Sequence, residues 1–310
     1  MDVAQLKTLI HVAELGSLSK AADRLRIAQP ALSRQIRLLE KELGATLFER
    51  HGRGMVITAV GREVLDHAAR IMAELEAIRH VSSNGATSFT GQVSIGTTPT
   101  VAEIVTVPLV RKIKQAHPQL SVRLSSAFTG HLLDWLQRGE LEIAVSYDPQ
   151  PIRSLRIVPV MMEQLFLVSA RGRGLTMDRP IRFVTLKDED LVLPSRRHGL
   201  RVIMEECARS AGIDLLASVE ADSFGAMIDL VRNGVGTTVL PLAPIHGLVE
   251  SGALCAAPLI EPMPERKLVL AYPADRPVSA AARFVADTFT AIAADLVARN
   301  IWVGRMLIDR

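Results

Sequence analysis

The sequence of 310 residues predicts an α-helical winged helix-turn-helix domain with a long linker helix, followed by a two-lobed α/β domain. Two observations predict this class. Roughly the first sixty residues carry the patterns of short helices and one hairpin, whereas the residues beyond about 92 alternate between strand and helix patterns. Because 48% of the residues are hydrophobic, the chain can bury more than one core.

The first two helices have local start and stop signals. The pattern in "VAQLKTLIHVAELG" places Leu6, Leu9 and Ile10 at helical spacing and ends at Gly16. The second helix covers "SLSKAADRL", with Ser19 as its predicted N-cap. Small side chains on its inner face would let a third helix approach closely.

A third helix is predicted in "LRIAQPALSRQIRLLEKELG", from Leu25 to Gly44. Its apolar residues recur at helical spacing and predict one buried stripe: Leu32, Ile36, Leu39 and Leu43. The following "LFERHGRGMVIT" has the pattern of a hairpin whose loop carries cations. Helix, helix, tight turn, helix and basic hairpin together predict a winged helix-turn-helix over residues 1–58.

Positive charge is concentrated in this domain, although the whole chain has a net charge of only +3. Between Lys20 and Arg53 there are eight cations and four acids. A clustered basic face is typical of proteins that bind the phosphate backbone of DNA. The alternative is an ordinary solvated helical face, and charge alone does not decide between the two.

A long linker helix is predicted over residues 59–81, capped by Thr58. Its apolar residues recur every three or four positions, and five of them form the predicted dimerisation stripe: Val64, Ala68, Ile71, Leu75 and Ile78. An exposed helix with such a stripe needs a partner, and a second copy of the chain is the simplest one. Packing onto its own chain is the alternative.

A hinge is predicted at residues 82–91, where "SSNGATSFTG" is small and polar. The α/β domain then covers residues 92–300, with lobe I at about 92–162 and 267–300 and lobe II at about 163–266. Its alternating strands, among them "QVSIGT", "LEIAVSY" and "EQLFLVSA", predict a mostly parallel sheet with covering helices. Residues 301–310 are set apart as a C-terminal tail without a predicted role.

Several classes of protein have no support in the sequence. Cys207 and Cys255 are too few for a disulfide framework or a zinc site, and neither a metal site nor a cofactor is predicted. There is no run of about 18 apolar residues and no signal-peptide pattern, so a cytoplasmic protein without membrane contact is expected. P-loop, GxGxxG, GxSxG and HExxH motifs are absent, which argues against an enzyme.

The segment "VAELGSLSKAADRLRIAQPALSRQIRLLEKELGATLFERHGRGMVIT" closely resembles the DNA-binding segment of LysR-type transcriptional regulators. "GQVSIGTTP" and "DLVRNGVGTTVLP" resemble the two ends of that family's effector domain, and "IAQPALS" and "GQVSIG" are most similar to the nitrogen-assimilation and cysteine-biosynthesis regulators. The resemblance implies a periplasmic-binding-protein-like effector domain, with a small and usually anionic metabolite in the cleft between its lobes. It also implies a tetramer, a dimer of dimers, on promoter DNA.

Two positions depart from the family pattern. Ala28 stands where the family often has a serine that caps the recognition helix, and Pro30 partly compensates because it needs no hydrogen-bond acceptor. After Thr58 the usual alanine-glycine pair is replaced by Val60-Gly61. Neither change touches a candidate for base recognition.

The exposed side of the third helix carries groups suited to reading DNA. The first turns of a recognition helix reach base edges in the major groove, where glutamine pairs with adenine and arginine with guanine. Besides Pro30, three residues are predicted to make base or base-adjacent contacts: Gln29, Ser33 and Arg34. Three cations are predicted to contact phosphates: Arg37, Arg50 and Arg53. The alternative for Arg37 and Lys41 is an ion pair on the helix surface with Glu40 or another acid, and for Lys41 this is the preferred interpretation.

Ligands of α/β lobes lie at the carboxyl ends of strands, where helix N-termini present free N–H groups to anions. Hydroxyls and cations at three such junctions suit a carboxylate and predict the effector-binding residues Thr98, Thr100, Thr129, Ser195, Arg196, Arg197 and His198. The alternative interpretation of each residue, as an ordinary N-cap or turn residue, is equally consistent with the sequence. A redox role for Cys207 and Cys255, as in the family's peroxide sensors, is not expected, because their neighbourhoods do not resemble that motif.

The predicted function is therefore a DNA-binding transcriptional regulator whose promoter binding responds to a small anionic metabolite. Its expected partners are double-stranded promoter DNA, the effector and further copies of the chain, with RNA polymerase as a further candidate. The alternatives are a ligand-independent DNA-binding repressor and an enzyme built on the two-lobed fold.

Overall fold

The computed structural model consists of two compact units, Met1–Gly91 and Gln92–Arg310. It describes most of the chain: residues 1–51, 54–83, 88–147, 149 and 151–308. Among these residues, no helix combines the length and the apolar character that crossing a membrane requires.

The N-terminal unit is a helical domain with one small antiparallel sheet. Its elements are α1 (Val3–Leu15), α2 (Leu18–Leu25), α3 (Gln29–Leu43), β1 (Phe48–His51), β2 (Gly54–Ile57) and α4 (Ala59–Ser83). Strands β1 and β2 pair antiparallel, as expected for a hairpin wing. Helices, tight turn and hairpin therefore follow one another in the predicted order.

The caps of these helices explain where they begin and end. Helix α1 begins at a capping box formed by Asp2 and Gln5, and it ends at Gly16, whose φ of +59° favours glycine. Helix α2 is capped by Ser17 and not by the predicted Ser19. The N-cap lies two residues earlier than predicted, because Ser17 has the extended backbone of an N-cap residue and its hydroxyl accepts from the N–H of Lys20.

Helix α4 begins against the core of the N-terminal unit. The hydroxyl of Thr58 accepts from the backbone N–H of Gly61 at 2.9 Å, so the predicted cap is formed. A Cβ at Gly61 would lie 2.3 Å from the carbonyl oxygen of Leu47, and α4 can approach this closely because position 61 has no side chain. Ala68, further along α4, is also buried in this core, with only 1% of its surface exposed.

The second unit is an α/β domain. Its strands are β3 (Gly91–Thr97), β4 (Leu120–Ser126), β5 (Ile143–Tyr147), β6 (Leu155–Ala170), β7 (Ile181–Arg182), β8 (Leu191–Leu193), β9 (Ala217–Glu220), β10 (Thr238–Pro241), β11 (Leu254–Ile260), β12 (Glu265–Pro273) and β13 (Gly304–Met306). Its α-helices are α5 (Pro99–Ala116), α6 (Thr129–Arg138), α7 (Gly199–Ala211), α8 (Phe224–Arg232), α9 (His246–Glu250) and α10 (Ala280–Ala298). Short 3-10 helices cover Phe183–Asp188 and Ala243–Ile245.

Strand β6 passes from one half of this domain to the other. The main sheet has the order β4-β3-β5-β12-β6-β11-β7, and β10 and β13 also pair with β6. The first part of β6, Leu155–Gln164, pairs with β12, and the rest pairs with β10 and β11. The chain thus crosses between the halves along β6 and returns along β12.

The sheet is mixed, and the prediction of a mostly parallel sheet is wrong. Within it, β3 pairs in parallel with β5 and β7 with β11, while β8 and β9 form a separate parallel pair. Strands β10, β11, β12 and β13 all pair antiparallel with β6. The reason is the crossover, since a strand that returns beside an outgoing strand runs in the opposite direction.

The C-terminal segment belongs to the fold and is not a free tail over its described part. Strand β13 pairs with β6 at Met161, Met162 and Glu163. Trp302 is fully buried, and the N–H of Leu307 donates to the carbonyl of Val160 at 2.8 Å. The last described residues therefore cover the point where β6 changes partners.

Candidate DNA-binding surface and effector cleft

Helix α3 separates a buried apolar side from an exposed polar side. Leu32, Ile36 and Leu39 are buried in the core that α3 shares with α1 and α2. Leu43, the fourth residue of the predicted stripe, is 40% exposed because the helix ends there at Gly44. The stripe fixes the orientation of α3 and leaves the opposite side of its N-terminal half in solvent.

The predicted DNA-binding residues of α3 lie on this solvent side. They are exposed or half-buried in every case: Gln29, Pro30, Ser33, Arg34 and Arg37. As the sequence predicts, the helix begins at Ala28 without a side-chain cap and has a proline in its first turn. The N–H groups of Ala31 and Leu32 donate to the carbonyl of Ala28 at 3.0 and 3.1 Å, so the N–H of Gln29 is the first-turn donor available to an acceptor outside the domain, such as a phosphate.

Two arginines of α3 have no carboxylate partner in the described part of the chain. Among the described residues, neither Arg34 nor Arg37 forms an ion pair with a carboxylate, and Arg37 Nε donates to the carbonyl of Ser33 at 3.4 Å. Glu40 accepts instead from the backbone N–H groups at the start of β1, at 2.8 and 3.3 Å. Glu40 is thus not the ion-pair partner of Lys41 among the described residues, and a pair of Lys41 with another acid stays a prediction.

The wing is fastened to the end of α1. The N–H of Met55 donates to the carbonyl of Gly16 at 2.8 Å, and a Cβ at Gly54 would lie 2.3 Å from that carbonyl oxygen. This contact fixes the loop end of the hairpin, beside the predicted phosphate contacts. Arg53 and the side chain of Arg50 lie outside the described part of the structure.

Helix α4 uses its first turns to pack on its own domain. Ala68 is buried in the domain core, and the half-buried Val64 packs against that core. For these two positions the structure supports the alternative from the sequence, packing of the helix onto its own chain. Ile71 is 41% exposed and Leu75 is half-buried, whereas the side chain of Ile78 lies outside the described part.

The α/β unit contains a cavity of about 750 Å³. Five of the seven predicted effector-binding residues line it: Thr98, Thr100, Thr129, Arg197 and His198. The other two do not. The Arg196 side chain is 77% exposed and lies 3.6 Å from Glu205, and the backbone N–H of Ser195 donates to Asp222 at 2.9 Å.

The three threonines contribute differently to the cavity. Thr129 Oγ1 lies 2.9 Å from Ser146 Oγ, and Thr100 Oγ1 accepts from an arginine at 3.1 Å. Thr98 precedes α5 without capping it, and its buried hydroxyl has no hydrogen-bond partner among the described residues. A buried hydroxyl without a partner costs free energy, and a ligand oxygen would satisfy it.

The arginine at the floor of the cavity is Arg266 in β12, which the sequence analysis missed. It is 4% exposed, its Nε lies 2.5 Å from Glu163 of β6, and its Nη2 donates to Thr100 and to the hydroxyl of Tyr147 at 3.0 Å. Glu163 also accepts from the indole N–H of Trp302. Arg266 and Glu163 thus join the two strands that cross between the halves of the domain.

His198 lies at the start of α7 and lines the same cavity. Its Nδ1 accepts from the backbone N–H of Leu200 at 3.1 Å, and its ring meets the edge of Phe128 with centroids 4.7 Å apart. Burial, and secondarily the charge of Arg266, lower the pKa of His198 to about 4. The imidazole is therefore neutral at pH 7, and because Nδ1 accepts, Nε2 carries the proton and is a donor.

Charges of both signs line the cavity. The cations are Arg197, Arg266 and Lys267, and the acids are Glu206, Asp222 and Glu265. Because Arg266 is already paired with Glu163, the cavity has no large excess of positive charge. Apolar residues also line the cavity: Val202 and Ile203 of α7, Phe224 and Met227 of α8, and Leu240 of β10.

Cys207 also lines the cavity and is half-buried. Burial, and then the nearby Glu206, raise the pKa of its thiol. A cysteine that reacts with peroxide requires the opposite, a lowered pKa that favours the thiolate. This environment agrees with the expectation that Cys207 has no redox role.

Both units match sequence profiles of known families. Residues 3–62 match the profile "Bacterial regulatory helix-turn-helix protein, lysR family", and residues 86–293 match the "LysR substrate binding domain". The chain belongs to the LysR family. The LysR-type resemblance predicted from the sequence is thereby confirmed.

Similar curated proteins are LysR-type regulators. The chain is 31% identical over 250 residues to the nitrogen assimilation regulatory protein nac of Klebsiella aerogenes, covering 80% of this chain and 81% of that protein. It is 28% identical over 272 residues to the DNA-binding transcriptional dual regulator OxyR of Escherichia coli K12, covering 88% and 89%. These relatives are regulators, which confirms that the LysR-type chain is not an enzyme.

Solved LysR-type structures share the fold. An OxyR C206 mutant of Corynebacterium glutamicum superposes with a TM-score of 0.69 at 24% identity, covering 96% of this chain and 94% of that one. Full-length CbnR in complex with its target DNA superposes with a TM-score of 0.60 at 22% identity, covering 95% and 99%. These structures share the fold, and the two family matches identify the chain as a DNA-binding transcriptional regulator with an effector-binding domain.

Proposed function

We propose that this regulator reads promoter DNA with the exposed side of α3. Three residues contact bases or their immediate surroundings: Gln29, Ser33 and Arg34. Three cations contact phosphates: Arg37, Arg50 and Arg53. The observation that carries this proposal is that Arg34 and Arg37 project from a helix held by its opposite side, without an ion pair among the described residues. Pro30 lies in the first turn of the helix, at the same surface.

The regulator acts as a dimer of dimers. It does so in the cytoplasm, where it has access to promoter DNA. Ile71 and Leu75 remain at the surface of α4, and with Ile78 they supply the dimer contact. Val64 and Ala68 support this contact from within the domain core. Contact with RNA polymerase stays a prediction.

The effector is a small carboxylate bound in the cavity of the α/β unit. The unpartnered hydroxyl of Thr98 and the free N–H groups at the start of α5 provide donors for it, together with Thr100 and Thr129. The near balance of charge among the lining residues favours one negative charge over two or three. The apolar side formed by α7 and α8 receives the rest of the molecule.

Peroxide sensing is a second candidate function because several relatives are hydrogen peroxide-inducible activators. The raised pKa of the Cys207 thiol speaks against it. Treatment of the full-length chain with peroxide is therefore expected to leave its DNA binding unchanged.

Footprinting on the DNA beside the protein's own gene tests the proposed function. A symmetric protected site is expected, and candidate monocarboxylates should alter it while raising the melting temperature of the chain. The matched control is the uncharged amide of each acid, which should do neither. Protection of no symmetric site under any condition would overturn the DNA-reading proposal, and equal effects of acid and amide would overturn the carboxylate.

A further inference from the structure

We propose that Ser19 is a positioning residue for base recognition: its hydroxyl orients the side-chain amide of Gln29 for adenine. This inference rests on the proposed function, because it assumes that Gln29 reads a base. It assigns to Ser19 a role other than the N-cap that the sequence predicts.

Ser19 is free for this role because another residue caps its helix. The hydroxyl of Ser17 accepts from the N–H of Lys20 at 3.4 Å, and α2 begins at Leu18. Ser19 therefore lies inside the first turn, where its side chain is exposed. A capping hydroxyl has to face its own helix, whereas a hydroxyl in this position can reach outward.

The hydroxyl of Ser19 donates to Oε1 of Gln29 at 3.2 Å. Gln29 is the first residue of α3, so this bond links the beginnings of the two helices of the helix-turn-helix. The turn between them is held by Arg26 in the left-handed region, at φ +55°, and by the N–H of Ile27 donating to the carbonyl of Ala22 at 3.1 Å. The two side chains thus meet across a turn whose backbone is fixed.

The bond selects one orientation of the Gln29 amide. Adenine presents an acceptor, N7, beside a donor, N6, and a glutamine reads both when its Nε2 and Oε1 face them in that order. A glutamine without a partner samples many rotamers and loses that freedom on binding. With Ser19 donating to one lone pair of Oε1, the second lone pair and both Nε2 hydrogens remain for the base.

Because both side chains are exposed, their bond contributes little to folding. Its effect is expected in the choice of base. This distinguishes a positioning role from a structural one, since loss of a structural contact would lower the melting temperature and weaken binding to all DNA alike.

Selection of binding sites from random DNA tests the inference with the full-length chain. The variants are Ser19→Ala, Ser19→Thr, which keeps the hydroxyl, and Gln29→Ala. We expect Gln29→Ala to lose the preference for adenine at one position, and Ser19→Ala to lower it at the same position by about threefold to tenfold. Ser19→Thr should retain the wild-type preference, and all melting temperatures should agree.

The remaining outcomes separate the inference from the proposal beneath it. A wild-type motif in Ser19→Ala, with the preference lost in Gln29→Ala, would overturn the positioning role and leave base reading by Gln29 intact. A wild-type motif in Gln29→Ala would overturn base reading itself. Uniformly weaker binding of Ser19→Ala to all sequences, or a preference for guanine at the shared position, would also overturn the inference.

Discussion

The DNA-reading surface and the effector cavity use arginine in opposite ways. Arg34 and Arg37 are exposed on α3, and neither forms an ion pair among the described residues. Arg266 is 4% exposed and contacts Glu163, Thr100 and Tyr147. The charges of Arg34 and Arg37 are available to any phosphate or base, whereas the charge of Arg266 is already paired with Glu163.

This difference separates two ways of recognising an anion. A DNA-reading helix needs a fixed backbone and free side chains, because the phosphate backbone supplies the opposite charge. A buried cavity needs its charges balanced before the ligand arrives, because an unpaired buried charge is costly. The cavity therefore recognises its ligand by hydroxyls, N–H groups and shape more than by net charge.

The largest expected effect comes from breaking the buried pair. Arg266→Met should lower the free energy of unfolding by about 3–5 kcal/mol, because it leaves Glu163 buried without its cation. Urea unfolding followed by circular dichroism measures the loss. The matched exposed variant, Arg34→Met, should cost less than about 0.5 kcal/mol. Adding Glu163→Leu to Arg266→Met should restore most of the loss, and equal costs for the two single variants would contradict the comparison.

The second effect is a pH dependence that His198 confers on the α/β unit. Its pKa is about 4 in the folded chain and near 6.5 when unfolded, so the unfolded chain binds more protons between these values. Stability from this group is complete above pH 6.5 and falls as the pH drops to 4, by at most about 3 kcal/mol.

His198→Asn provides the control for this pH dependence, because asparagine retains a side-chain acceptor for the N-cap of α7 and does not titrate. The difference in unfolding free energy between wild type and variant should shrink as the pH falls from 7 to 4. A difference that stays constant across this range would contradict the lowered pKa.

The third effect separates two arginines on one helix. Arg34→Ala should lower the preference for operator over random DNA by about fivefold to 150-fold, corresponding to about 1–3 kcal/mol. Arg37→Ala should weaken binding to both DNAs equally and reduce the slope of log affinity against log salt by about 0.9. Fluorescence anisotropy at several salt concentrations distinguishes them, and identical behaviour of the two variants would remove the distinction between base and phosphate contacts.

The smallest effect concerns the unpartnered hydroxyl of Thr98. Thr98→Val should raise the free energy of unfolding by about 1 kcal/mol, since it removes a buried polar group that lacks a partner. It should also abolish most of the melting-temperature shift caused by a carboxylate effector. Thr238→Val is the control, because its hydroxyl is also buried without a partner among the described residues but does not line the cavity. Thr238→Val should stabilise the chain and keep the ligand response.

The DNA-reading surface could be predicted from sequence because it depends on neighbours along the chain. The spacing of Leu32, Ile36 and Leu39 is enough to place Gln29 and Arg34 on the opposite side of one helix. The capping error at Ser19 has a local cause too, since Ser17 has the same capping chemistry two residues earlier.

The cavity could be predicted in part, for a physical reason. Thr98 and Thr129 flank the starts of helices, and such junctions carry a recognisable pattern. Arg266 is inside a strand and meets Glu163, 103 residues away, and no local pattern reports such a pairing. The antiparallel pairings of the sheet could not be predicted for the same reason, because the partners of β6 are β10 to β13, which follow far along the chain.

The hydrogen bond from Trp302 to Glu163 limits how far the effector domain can be truncated at its C-terminal end. The matched family domain ends at residue 293, and a polypeptide cut there would lose the indole donor and the strand that lies beside Glu163. A shortened protein for crystallisation or ligand screening should therefore extend through Leu307, whose N–H still bonds to Val160. A fluorescent label near Trp302 would also lie beside β6, one of the two strands that cross between the halves of the domain.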